Sequence, residues 1–280
     1  MHDEALIDGV AAAGDCMSER AFQFGDGLFE TIAVVDGKLC LWNLHSERLA
    51  LGCTRLRLPL PDFDLLHAES RMLCAGRARA VLKLYWTAGN SARGYFRPPL
   101  MRPRRMLRVS DWIAGDSGVA WTVRQCRHRL SENPALAQIK HLNRLDQVVA
   151  RAEWEDPAIA EGIMLGQDGR VVCGTMSNLF VQIGDTLRTP YIEHAGITGV
   201  VRRLALELAM RDGHSVREAF ISPDDLHAAD AVYLTNSLIG VARVGRFAYT
   251  DYDTELAEHP LMGETRRHCH RPGGEGAAHE

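Results

Sequence analysis

Ile139-Lys140-His141-Leu142-Asn143-Arg144-Leu145 is the stretch on which the reading of this chain turns. Lys140 stands just ahead of a helix-like run in which Leu142, Leu145, Val148, Val149 and Ala152 recur at three- and four-residue spacing. A lysine at the edge of an element, beside apolar neighbours, can lose water and drop its pKa. As a free amine it can attack a carbonyl and form a Schiff base. An ordinary solvated lysine is the commoner case for such a segment, so the rest of the chain has to decide.

On the C-terminal side of the lysine, residues 163–165, the turn Gln167-Asp168-Gly169 and Val171-Val172 read as a hairpin, and residues 179–183 alternate like a strand. Ala195-Gly196-Ile197-Thr198-Gly199-Val200-Val201-Arg202 is a glycine turn leading into a helix to about Arg211. Residues 231–235 read as a strand ending in Asn236-Ser237. From Gly263 on, the polar, Gly/Pro-rich composition predicts a disordered tail.

On the N-terminal side, Gly25-Asp26-Gly27 marks a tight turn where backbone must approach something closely. Residues 28–35 are apolar and β-rich, Asp36-Gly37 signals a hairpin, and residues 38–42 form its second strand. Asn43 reads as the N-cap of a helix over about 44–57, with His45, Arg48, Leu49 and Gly52 on one face. Residues 80–86, 106–111 and 120–127 read as further strands. Strands and helices mixed in each half argue for an α+β fold in two lobes. The boundaries are 1–111 for a smaller N-terminal lobe, 112–118 for the connection, 119–262 for a larger C-terminal lobe and 263–280 for the tail.

The chain has 280 residues, enough to bury a sizeable core, and a net charge of −4. It has no basic excess to pair with phosphate backbones, which argues against nucleic-acid binding. No apolar run is long enough to span a bilayer, and the acidic start Met1-His2-Asp3-Glu4 lacks the layout of a signal peptide. Seven scattered cysteines without a Cys-x-x-Cys pair suit reduced thiols in a cytoplasmic protein. His268-Cys269-His270 falls in the expected tail without a fourth ligand, so no metal is expected.

Four features, each weak alone, point the same way. Lys140 is the first. Arg48 on its helix face could fork onto a phosphate, or form a surface ion pair. The amides at Gly199-Val200-Val201 could hold an anion at a helix start, or simply begin the helix. Ser237 could donate a hydroxyl to the same anion, or serve its turn. A phosphate cradle with a Schiff-base lysine is what pyridoxal 5′-phosphate requires.

Five stretches then occur in order: Ser18-Glu19-Arg20-Ala21-Phe22-Gln23-Phe24-Gly25-Asp26-Gly27-Leu28-Phe29-Glu30-Thr31, His45-x-x-Arg48-Leu49, residues 139–145, Ser177-Asn178-Leu179-Phe180, and Thr235-Asn236-Ser237-Leu238-Ile239-Gly240-Val241. Together they resemble the fold-type-IV pyridoxal-phosphate enzymes, the group of branched-chain and D-amino acid aminotransferases. Within that group Lys140 to Leu145, Arg93-Gly94-Tyr95 and residues 235–238 resemble the 4-amino-4-deoxychorismate lyases. The similarity covers about residues 5–250.

The resemblance implies that Lys140 carries the cofactor and moves protons. It implies that Arg48, the backbone of Val200 and Val201, and Ser237 hold the phosphate, with Ile197 supporting one face of the ring. It puts Arg93, Tyr95 and Asn236 near the substrate and makes the protein a homodimer. Two positions depart from the family pattern. Ala88 stands where an arginine is usual. Cys173 stands where the family has a glutamate that keeps the pyridine nitrogen protonated, and a neutral thiol is a poor substitute. The implied activity is conversion of 4-amino-4-deoxychorismate to p-aminobenzoate and pyruvate. An aminotransferase on the same fold and a non-catalytic relative that binds the cofactor are the alternatives.

Overall fold

Two mixed layers of sheet and helix face each other across the segment that carries Lys140. The computed structural model describes residues 4–7, 10–13, 17–91, 94–97, 99–100, 102–112 and 119–271. In chain order the elements begin with β1 (Glu4–Ile7), β2 (Val10–Ala13), α1 (Arg20–Phe24), β3 (Gly27–Val35), β4 (Lys38–Leu39), α2 (Trp42–Leu56), α3 (Phe63–Cys74), β5 (Arg79–Thr87) and β6 (Arg104–Asp111). They continue with β7 (Trp121–Arg129), α4 (Leu145–Arg151), β8 (Ile159–Leu165), β9 (Val171–Gly174), β10 (Asn178–Ile183), β11 (Thr186–Pro190) and α5 (Val200–Asp212). The last are β12 (Val216–Ala219), α6 (Pro223–His227), β13 (Ala231–Asn236), β14 (Gly240–Phe247), β15 (Thr250–Asp251) and α7 (Pro260–Cys269).

The N-terminal sheet runs β4-β3-β5-β6 and is antiparallel throughout. Asp36 and Gly37 both take positive φ, 49° and 70°, as the two-residue hairpin turn between β3 and β4 requires. Helix α2 packs on one face of this sheet through Leu49 and Gly52. A Cβ on Gly52 would come within 2.7 Å of the Leu28 side chain, so only glycine lets the helix sit this close to β3. Leu28, Leu49, Cys53, Leu66, Leu84 and Trp86 form the core between sheet and helices.

The C-terminal sheet is ordered β12-β11-β10-β13-β14-β7-β8-β9, with β15 paired to β14. Its pairs β11–β12, β14–β7 and β7–β8 are parallel and the others antiparallel. One face is covered by α5 and α7 through Val201, Leu204, Leu208, Leu261 and Met262. The architecture is the α+β, two-lobe fold expected from the sequence, built on these two sheets. Strand β6 ends at Asp111 and β7 starts at Trp121; residues 113–118 of the expected connection lie outside the described residues.

Two expectations need correction. Helix α2 starts at Trp42 with Leu41 at the cap position and no side-chain cap, so Asn43 lies in the first turn. The tail is ordered further than its composition suggests: Pro260 opens α7, which buries Leu261, Met262, Thr265 and Cys269. These four recur at short helical spacing, and the intervening arginines and histidines lower the mean hydropathy that suggested disorder. Residues 272–280 lie outside the described residues. Among the described residues no helix is long and apolar enough to cross a membrane, and Cys40, Cys53, Cys74, Cys126, Cys173 and Cys269 are free thiols.

Candidate active site

The backbone around Lys140 is bonded to both lobes. Phe29 N donates to Lys140 O at 3.0 Å, and Leu142 N donates to Gly27 O at 3.0 Å. Asn143 Nδ2 donates to Gly25 O at 3.2 Å. A Cβ on Gly25, whose φ is +64°, would meet Asn143 Oδ1 at 2.5 Å, and one on Gly27 would meet Trp86 O at 2.9 Å. The tight approach expected at Gly25-Asp26-Gly27 is therefore an approach to the lysine segment itself. On the other side, Gln138 N donates to Gly196 O at 2.9 Å and Thr198 N to Gln138 O at 3.0 Å. The lysine is thus tied to the start of β3 and to the turn that precedes α5.

Lys140 Nζ lies 4.4 Å from the centre of the Phe29 ring. Among the described residues no carboxylate is within hydrogen-bonding distance of it. Desolvation in the cleft, helped by the positive charge of Arg48, pushes the ammonium down to about 7; Glu30 opposes this and Arg144 and Lys83 add to it. About half of an amine with this pKa is unprotonated and nucleophilic at neutral pH, far more than of an ordinary lysine.

Arg48 and His45 project from α2 towards Glu30 of β3. Arg48 Nε donates to Glu30 Oε1 at 2.9 Å and Nη2 to Oε2 at 2.5 Å, while Nη1 donates to Thr198 O at 3.1 Å. His45 Nδ1 lies 2.7 Å from Glu30 Oε2. Glu30 is 1% exposed, and Arg48 and His45 hold its carboxyl down at about 2 against the opposing effect of burial. Burial holds His45 below its ordinary value, so its ring is neutral and Nδ1 is the donor. Arg48 is therefore oriented by a buried carboxylate and reaches the turn 195–199, with N–H groups left over for an anion.

That turn is fixed by Asn178. Its Nδ2 donates to Ile197 O and its Oδ1 accepts from Gly199 N, each at 2.9 Å. Helix α5 begins at Val200 without a side-chain cap. Its first amides are free to meet an anion beside Arg48. Ser237 Oγ donates to Thr31 O at 2.6 Å, which ties the lobes together; to serve a phosphate, the hydroxyl has to rotate away. Asn236 Oδ1 accepts from Leu238 N and Ile239 N, and its Nδ2 donates to Met176 O. Its side chain therefore shapes the turn after β13.

Tyr95 is gathered elsewhere. With Arg20, Phe24, Asp26, Arg97 and Asn143 it lines a cavity of about 630 Å³ that Lys140 does not line. Arg20 Nε donates to Asp26 Oδ2 at 2.7 Å, and Arg97 forks onto the same carboxylate. Arg93 lies outside the described residues. Ala88 is buried in the N-terminal core. The motif 268–270 does not converge: His268 turns to Glu264 O, Cys269 donates to Arg266 O, and His270 meets Ser237 O.

Sequence reasoning missed Glu30, Glu161 and Arg144. Glu30 shares strand parity with Leu28 and Ile32, all three buried, but its pairing with His45 and Arg48 of α2 appears only in the fold. Glu161, fully buried in β8, accepts from Thr175 N, Thr175 Oγ1, Met176 N and Ser177 Oγ and so shapes the turn before β10. The residues present fit pyridoxal 5′-phosphate. They offer an unpartnered amine of low basicity, an uncapped helix start with an oriented arginine beside it, and buried polar atoms without partners at Thr235 Oγ1, His141 Nδ1 and Arg144 Nε.

The sequence profile of the family described as Amino-transferase class IV matches residues 27–247. The aminodeoxychorismate lyase of Vibrio harveyi is 33% identical over 266 residues, 93% of this chain and 96% of that protein. The crystal structure of 4-amino-4-deoxychorismate lyase from Pseudomonas aeruginosa superposes with a TM-score of 0.84 at 38% identity, covering 93% of this chain and 96% of that one. The branched-chain amino acid aminotransferase of Escherichia coli shares the fold, with a TM-score of 0.77 at 20% identity over 92% of this chain and 90% of its own.

Proposed function

This chain belongs to the amino-transferase class IV family, and we propose that within it the chain is an aminodeoxychorismate lyase that splits 4-amino-4-deoxychorismate into p-aminobenzoate and pyruvate. The observation that carries the reading is the near-full-length match to lyases of that activity, at 33% and 38% identity. Cys173 supports it against the aminotransferase alternative, because a neutral thiol does not stabilise a protonated pyridine nitrogen.

Pyridoxal 5′-phosphate supplies the electron sink when bound. In this proposal Lys140 carries it, Arg48 and the amides of Val200 and Val201 hold its phosphate with the Ser237 hydroxyl, and Ile197 supports its ring. The freed Lys140 amine takes the proton from the substrate ring carbon that bears nitrogen. The ether C–O bond breaks, the enolpyruvyl group leaves and gains a proton to become pyruvate, and the ring becomes aromatic. Lys140 suits both proton transfers because a group near neutrality can take and return a proton at working pH. The Phe29 ring stands beside Nζ. A substrate contact at Asn236, and a homodimer in which the loop carrying Arg93 and Tyr95 reaches the substrate in the other subunit's site, complete the proposal.

The deciding experiment incubates purified protein with aminodeoxychorismate and measures p-aminobenzoate and pyruvate in equal amounts. A parallel assay measures pyridoxamine phosphate formed with D- and L-amino acids. Ready transamination without p-aminobenzoate would make the protein an aminotransferase; neither product would leave a non-catalytic relative. A second expected result concerns Arg48. Arg48→Ala removes a charge-assisted contact worth about 1.5–3 kcal/mol. Cofactor affinity, read by fluorescence titration, falls well over tenfold, and excess cofactor restores much of the activity. Unchanged affinity would remove Arg48 from the phosphate site.

A further inference from the structure

The N-terminal sheet has a second face, turned away from α2 and α3. Leu28, Ile32, Leu82 and Leu84 pack under the helices, and the alternate residues of the strands point the other way. On that side Phe29 of β3 is in register with Tyr85 of β5 and Met106 of β6, and Thr31 is in register with Lys83 and Arg108. Lys83 and Arg108 are exposed, and among the described residues neither makes a hydrogen bond or an ion pair. Strands β3, β5 and β6 place no aspartate or glutamate on this face. Like charges directly opposite each other on neighbouring strands destabilise a sheet, and nothing on these strands offsets this pair.

The same face carries the Lys140 amine. Nζ stands 4.4 Å from the centre of the Phe29 ring, and the Phe29 and Tyr85 rings are stacked, 22° apart with their centres at 6.3 Å. The two rings make an aromatic floor beside the amine. The row of Thr31, Lys83 and Arg108 lies about 7 Å further along the strands, with Lys83 about 5 Å and Arg108 about 10 Å across from β3. Both cations stand on long, flexible stems that can lean over the floor. Lys83 is close enough for its charge to help lower the Lys140 amine.

We propose that Lys83 and Arg108 are a carboxylate-binding pair that selects a cyclic amine carrying two carboxylates away from its nitrogen. The proposal deepens the functional reading above and rests on it for the reacting end at Lys140. A flat ring lies on the aromatic floor with its nitrogen at Lys140, and its carboxylates meet the row of cations. The ammonium of Lys83 offers a point charge, and the guanidinium of Arg108 offers a fork. A bound dianion also removes the repulsion between the two. An α-amino acid has its carboxylate on the carbon that bears nitrogen, beside the reacting centre, and leaves both cations unmatched. The pair therefore favours the lyase substrate over those of an aminotransferase.

The test titrates the full-length protein, loaded with pyridoxal phosphate, with chorismate in a calorimeter. Chorismate has both carboxylates but a hydroxyl in place of the amine, so it binds without displacing Lys140. The wild type is expected to bind it more tightly than the monocarboxylate p-aminobenzoate, and added salt weakens the binding. Lys83→Gln and Arg108→Gln each weaken it by about tenfold or more. Lys83→Arg and Arg108→Lys, which keep the charge, retain most of it. The KM for aminodeoxychorismate follows the same order, and cofactor affinity stays at the wild-type value in all four variants. Chorismate affinity unchanged in both glutamine variants, or lost only together with the cofactor, overturns the proposal. Release of p-aminobenzoate by the wild type with KM unchanged in both variants overturns this inference alone. No p-aminobenzoate from the wild type overturns the functional reading, and the chorismate titration still decides the pair.

Discussion

Lys140→Ala is expected to purify without covalently held cofactor and to lose turnover by at least roughly 10²–10⁴, the usual contribution of a positioned acid–base group. The chain contains only three lysines, Lys38, Lys83 and Lys140. Lys38 and Lys83 are exposed on β4 and β5. Lys140 is the lysine whose basicity the structure lowers, to about 7. Borohydride reduction of the wild type should therefore fix the label in the peptide containing residues 139–145. The pH dependence follows from the direction of the shift. Below about 7 the amine is protonated and attachment is slow; the rate rises through that region and levels off above it. An ordinary lysine would give a rate still climbing at pH values well above neutral. Label at Lys83 or Lys38, or a rate without a plateau, would remove Lys140 from its proposed role.

The parts of the fold legible in the sequence are those set by contacts within a few residues. The hairpin at Asp36-Gly37 needs only two residues that accept positive φ, and both do. The glycine turn into α5 is legible because Gly196 and Gly199 stand directly before the apolar run that opens the helix. The lysine segment is legible because its edge position precedes a helical repeat. What stayed hidden depends on partners far apart in sequence. Glu30 pairs with residues 15 and 18 positions away on another element, and sequence alone does not give the facing of β3 against α2. Helix α7 was lost because its buried stripe is narrow and its exposed residues are charged.

The same long-range pairing explains how the two lobes make one site. Arg48 belongs to the N-terminal lobe but donates to Thr198 of the C-terminal one. Ser237 belongs to the C-terminal lobe but donates to Thr31 of β3. The residues assigned to the phosphate are therefore also those that hold the lobes in register. A ligand bound there would tighten the lobe contact, and loosening the contact would weaken the ligand.

Glu30→Ala is expected to have the largest effect on stability of any single change in the cleft. It leaves Arg48 and His45 buried around a space with no carboxylate. Breaking a buried charge pair on one side typically costs about 3–5 kcal/mol. Because Arg48 then loses both contacts that aim it at the turn 195–199, cofactor affinity should fall as well, by more than tenfold. Glu30→Gln, which keeps the shape and one acceptor, should lie between the variant and the wild type in both measurements. Acid should expose the same pairing. The folded-state pKa of Glu30, about 2, is below its ordinary value of 4.5. Its stabilisation is therefore complete above about 4.5 and is lost as pH falls towards 2. His45 is also held below its ordinary value, so protonation of the unfolded chain begins to cost stability at a higher pH than Glu30 alone would give. Denaturant midpoints measured against pH should drop on acidification in the wild type and flatten below 4.5 in Glu30→Ala. If Glu30→Ala unfolds at the wild-type midpoint and binds the cofactor as tightly, Arg48 is not oriented by Glu30, and the carboxylate has no part in building the site.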